Sequence, residues 1–167
     1  MKYTSAQAAK LLSKLQQDYD RLATQEENAK TFLASVGEDV EDVRPEYNYE
    51  ETGAKLSALE ARIRKLKHAI NVFNTTTVVP EFGMTIDEML IYIPQLSRKK
   101  AKLKGMANAL PKARYNSYTK TNIIDYQYIN YDLDAVRKDL DAVTEELSNA
   151  QLALDSVNHS AIIDIDL

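Results

Sequence analysis

The chain has 167 residues, enough for one domain with its own core, and its 44% hydrophobic and 28% charged residues are ordinary for a globular protein. It has no cysteine, which excludes disulfides, thiolate catalysis and sulfur-ligated metals and suits a reducing cytoplasm. A net charge of -4 argues against a dedicated nucleic-acid binder, and four glycines leave little material for a phosphate-cradling loop.

The opening residues Met1 to Ser5 lead into an amphipathic segment and not into an apolar signal core, so no secretion peptide is expected. No apolar run approaches the roughly 18 residues of a membrane span. A first helix is expected over 5–36, with Thr4 and Gln7 at capping-box spacing and Gly37 placed for a left-handed end. Its stripe is Ala8, Leu11, Leu12, Leu15, Tyr19 and Leu22, then Ala29, Phe32, Leu33 and Val36; the polar residues 24–28 interrupt it. Residues 37–50 read as an acidic connector around Pro45, with Arg44 as the single basic residue.

A second helix over 51–74 carries the seam Leu56, Leu59, Ile63, Leu66, Ile70 and Phe73. Residues 75–80 favour extended backbone, because three threonines and two valines precede Pro80. Thr85 and Glu88 form a second capping box, flanked by Met84 and Met89 as a hydrophobic staple. The helix that starts there should bend at Pro94 and end between Lys104 and Leu110. A tyrosine-rich β-hairpin is expected within 114–129, its strands 114–118 and 123–129 joined by 119–122. The last helix has the longest regular pattern in the chain. Leu133, Val136, Leu140, Val143, Leu147, Ala150, Leu154 and Val157 alternate at spacings of three and four, which asks for another helix. Asp132 and Asp134 suit its start. Residues 161–167 resemble a strand that would add to the hairpin or to a neighbouring subunit.

Four clusters are candidates for function. His68, Asn71 and Asn74 form a polar strip beside the seam of the second helix, with Asn158 as a fourth member; they make either a small-ligand or enzyme site or a simple helix cap. With only His68 and His159 as imidazoles, and no His-x-x-x-His or calcium-loop spacing, no metal or other cofactor is expected. Arg98, Lys99, Lys100, Lys102 and Lys104 form a basic patch that is either a phosphate or nucleic-acid contact or a solvated helix face, and Arg62, Arg64, Lys65 and Lys67 join it if the two helices pack together. Tyr115, Tyr118, Tyr126 and Tyr128 are candidate interface residues. Tyr126 and Tyr128 share a strand face as base-stacking platforms would, but the adjoining Asp125 and the want of a basic surround favour a protein interface. No nucleophile elbow, P-loop or triad is present, so the reading leans away from an enzyme.

Ile70-Asn71-Val72-Phe73-Asn74, then Thr77, Gly83, Thr85 and Glu88-Met89-Leu90, resembles the pattern Ile-Asn-x-Thr-Asn, Thr, Gly and Thr-x-x-Glu-Ala-Leu of a bacterial family of unknown function, some of whose members are named septicolysin. Asn158 after a long seam helix matches that family's ending, while Phe73 stands in place of a threonine and His159 in place of an aromatic residue. The resemblance implies an all-helical coiled bundle with a small β element and no established activity. The cytolysin-like name implies pore formation, for which the chain has no long apolar or alternating inserting segment.

The expectation is therefore a mainly α single domain, 1–167. Its architecture is a four-helix antiparallel coiled bundle, long first and fourth helices packed antiparallel, with a small tyrosine-rich β-hairpin and a short C-terminal strand. It would act as a non-enzymatic cytoplasmic homo-oligomer that binds protein, with no membrane partner.

Overall fold

The computed structural model describes residues 2–115 and 124–165. Among them the elements are β1 (Lys2–Thr4), α1 (Ser5–Ala29), α2 (Val40–Val43), α3 (Tyr49–Thr76), β2 (Val78–Val79), β3 (Met84–Thr85), α4 (Ile86–Ala107), β4 (Lys112–Tyr115), β5 (Asp125–Tyr128), α5 (Leu133–Ser160) and β6 (Ile162–Asp164). The protein is mainly helical, and its strands form three antiparallel pairs, β1–β6, β2–β3 and β4–β5. Two compact units divide the chain: Met1–Thr77 with Ser156–Leu167, and Val78–Asp155.

In the first unit α1 and α3 run antiparallel. Both capping-box bonds at the start of α1 are made: Gln7 N–H donates to Thr4 Oγ1 at 3.2 Å, and Thr4 N–H donates to Gln7 Oε1 at 2.9 Å. Ala8, Leu15 and Leu66 are buried together with Ile163 and Ile165 from the C-terminal end, and Leu11, Leu12, Leu59, Ile63, Ile70 and Phe73 pack around them. Of the expected α3 seam only Leu66 is fully buried; Leu56, Leu59, Ile63, Ile70 and Phe73 are half-buried.

Three expectations change here. The first helix ends at Ala29, seven residues before Val36. Beyond it Phe32 is only half-buried, Leu33 is 95% exposed and Val36 wholly so, and a helix without a packed face is marginal. The connector 37–50 also contains a helical turn, α2, whose N-cap Asp39 accepts from Glu41 N–H at 2.9 Å. Arg44 makes a two-pronged bond to Glu41 at 2.8 and 2.9 Å and lies 5.3 Å from the centre of the Phe32 ring. Finally, the C-terminal strand does not join the hairpin. It pairs with the chain's own start, Tyr3 opposite Ile163 and Thr4 opposite Ile162. Burial decides the pairing: Ile163 and Ile165 point into the α1–α3 core while Ile162 faces outward, the period-two alternation of a half-buried strand.

In the second unit the turn between β2 and β3 closes with Gly83 at φ +62°, its N–H donating to Val79 O at 2.9 Å. The capping box at α4 is complete: Glu88 N–H donates to Thr85 Oγ1 at 3.2 Å, and Thr85 N–H donates to Glu88 Oε2 at 2.7 Å. Ile86, Met89, Leu96 and Leu103 are the buried stripe of α4. The helix is continuous through Pro94, where Leu90 and Pro94 are both exposed, so water can serve the Leu90 carbonyl that lost its donor. Asp132 caps α5 by accepting from Asp134 and Ala135 N–H at 2.9 and 3.3 Å. On α5, Val136, Val143, Leu147, Ala150 and Leu154 are buried, as the three–four spacing requires. Leu103 of α4 meets Val136, Leu140 and Val143 in an antiparallel contact.

Candidate binding surfaces

Tyrosine hydroxyls link the helices to one another. Tyr19 of α1 donates to Glu60 of α3 at 3.1 Å, Tyr47 donates to Glu26 of α1 at 2.8 Å, and Tyr92 of α4 donates to Glu146 of α5. In each case the bond to the carboxylate raises the phenol above its ordinary value, because ionising the tyrosine would break the bond and set two negative charges together. Glu41 and Glu51 are held low by bonds to Arg44 and Lys55, and Glu88 by the Thr85 backbone N–H and hydroxyl. The tyrosine bonds connect separate segments of the chain, whereas the glutamate bonds to Arg44, Lys55 and Thr85 are local ones within three or four residues. None sits in an enclosed cleft where a shifted acid or base would serve catalysis.

The polar strip of α3 is only partly assembled. His68 and Asn71 line an open groove of about 920 Å³ along α1 and α3, facing Ser13, Gln16 and Gln17, whereas Asn74 and Asn158 are half-buried and not among its lining residues. Arg64 and Lys67 share the groove with Asp20 and Glu60, so its charges balance and it favours neither anions nor cations. In the last turns of α3, Thr75 Oγ1 donates to Asn71 O at 3.0 Å and Thr76 Oγ1 to Val72 O at 2.7 Å. Among the described residues no group of three His, Asp or Glu is placed to hold a metal ion.

Arg98, Lys99, Lys102 and Lys104 are exposed on α4 and Lys100 is half-buried; none forms an ion pair among the described residues. Arg62, Arg64, Lys65 and Lys67 belong to the other unit.

The described hairpin strands are 112–115 and 125–128, displaced by one residue in register from a hairpin closed on 119–122. A hairpin closed on 119–122 would set Tyr115 opposite Tyr126. The observed partner of Tyr126 is Arg114, and that of Tyr128 is Lys112. Partners across a ladder share a face, so Lys112, Arg114, Tyr126 and Tyr128 stand on one side, and Tyr115 and Asp125 on the other. Lys112 Nζ lies 4.2 Å from the centre of the Tyr126 ring and 5.4 Å from that of Tyr128. The basic surround that the sequence reading found missing is therefore present, and Asp125 points away from it. Lys112 and Arg114 are the residues that sequence reasoning missed; the ladder register was the signal that would have found them. Tyr118 lies outside the described residues. The hairpin base is tied to the end of α4, where Tyr131 Oη donates to Met106 O at 2.8 Å and Ile129 N–H to Pro111 O at 3.3 Å.

No curated protein matches this chain. Its structure is similar to the crystal structure of a functionally unknown conserved protein from Corynebacterium diphtheriae, with a TM-score of 0.63 at 22% identity, over 98% of this chain and 100% of that one. At that identity the likeness concerns the fold alone. The septicolysin name attached to the earlier resemblance appears in neither this description nor that of the matching family. A family model matches residues 22–163, and the chain belongs to that family, DUF6847, a family of unknown function.

Proposed function

We propose that this chain is a non-enzymatic, self-associating cytoplasmic protein whose role is to bind protein through its surfaces. One observation carries the reading. Leu33 and Val36 in the first unit, and Leu90, Ile91 and Leu152 in the second, are exposed, and most of the α3 seam is only half covered. Apolar side chains left open to water in this way suit a surface that a partner covers. The reading keeps the single domain 1–167 and the four-helix antiparallel coiled bundle of the sequence analysis, for which α1 with α3 and α4 with α5 each supply one antiparallel pair.

Light scattering behind size exclusion tests it. A discrete multiple of 18.9 kDa at micromolar protein is expected. A clean monomer across low and moderate salt overturns self-association.

A further inference from the structure

One face of the β4–β5 hairpin is built for a ligand that alternates flat rings with negative charge. Lys112, Arg114, Tyr126 and Tyr128 share it and all are exposed, with Tyr126 49% and Tyr128 62% accessible. The two rings are two residues apart on one strand, about 7 Å along the chain. That spacing is wider than the roughly 3.4 Å step of stacked bases in a duplex. Successive bases can therefore reach both rings only when the strand is single and its bases are free to part. Between Glu88 and Asp125 the sequence holds eight Lys or Arg and no Asp or Glu. Of these, Arg98, Lys99, Lys100, Lys102, Lys104, Lys112 and Arg114 are described, and none is neutralised by an ion pair among the described residues. The chain as a whole is acidic, but phosphate contacts depend on the local excess.

From this geometry we infer that the Lys112–Arg114–Tyr126–Tyr128 face binds single-stranded nucleic acid, bases stacking on the two tyrosines and phosphates meeting Lys112 and Arg114. In the free protein the Lys112 ammonium covers both rings. An arriving base takes its place, and the long lysine stem lets the charge swing to the adjacent phosphate. Charge alone would also accept an acidic polypeptide, including the connector 37–50 of a second copy. The pairing of two rings with two cations on one ladder face favours a ligand that offers a base and a phosphate in every unit.

The test is fluorescence anisotropy with a labelled twelve-nucleotide deoxythymidine strand, at low salt, on the full chain. Saturable binding is expected, with duplex of equal length weaker. Tyr126→Ala or Tyr128→Ala should weaken it about 5- to 100-fold, and Tyr126→Phe should keep it, because stacking needs the ring and not the hydroxyl. Lys112→Gln should lower the slope of log affinity against log salt by about 0.7. Far-UV circular dichroism checks that each variant is folded, as is expected for substitutions on an exposed face. Absence of binding at low salt overturns the proposal. So does equal binding of an abasic strand, or complete displacement by polyglutamate with no effect of the tyrosine variants; either result would assign the face to acidic partners in general. Self-association is read separately by mass and stands or falls on its own.

Discussion

The β1–β6 and β4–β5 strand pairs are built from similar residue types and meet opposite fates. In β6, Ile163 is 5% exposed and helps close the α1–α3 core, so the pair is a structural staple between the two chain ends. In β4–β5 every residue except Ala113 is exposed, and on one face Lys112 and Arg114 stand opposite Tyr128 and Tyr126. A buried face fixes the register of a pair through its apolar side chains, while a two-sided exposed hairpin is free to carry a recognition surface. The difference teaches that β-like composition indicates strand and leaves open whether the strand serves the core or a ligand.

The largest expected effect breaks the staple. Ile163→Ala should cost about 2–4 kcal/mol in chemical denaturation, and Ile163→Asp should abolish cooperative folding of the first unit, since it buries an unpaired charge. Tyr128→Ala on the other pair should stay within about 0.5 kcal/mol of wild type, as exposed substitutions usually do. An equal loss at both positions would erase the contrast.

Helix starts sharpen the comparison at a smaller scale. Thr4→Ala, where β1 meets α1, and Thr85→Ala at α4 should each cost about 1 kcal/mol, measured by urea titration. The Thr4 change should also loosen the β1–β6 staple, which hydrogen exchange of the Ile162–Asp164 amides would report.

Smaller again is the dependence on pH. Tyr19, Tyr47 and Tyr92 are raised by their glutamate bonds, so the folded state holds those protons more tightly than the unfolded chain. Their contribution is complete below the ordinary tyrosine value of about 10 and is lost as pH rises through the folded value. Thermal midpoints should fall in alkali, and the triple Tyr→Phe variant should flatten that fall. Glu88 behaves in the opposite sense. Its depressed value contributes above the ordinary carboxylate range and is lost as pH falls through the folded value, a slight effect at an exposed cap.

Much of the fold was legible in the sequence, because its signals are local. The capping boxes at Thr4–Gln7 and Thr85–Glu88, the Asp132 cap and the three–four seam of α5 each depend on residues within a turn or two of one another, and each formed as read. Tertiary structure decided the rest. The helix ended at Ala29 because Leu33 and Val36 found no helix face to cover them, which no local pattern records. The strand at Ile162–Asp164 paired with Lys2–Thr4, a segment too short to show alternation and more than 150 residues away. The candidate site turned on a single residue of register: shifting one strand by one position flips every side chain, exchanging Tyr115 for Arg114 as the neighbour of Tyr126. Periodicity and capping are properties of neighbours along the chain, whereas pairing and burial are set by which distant surfaces remain to be covered.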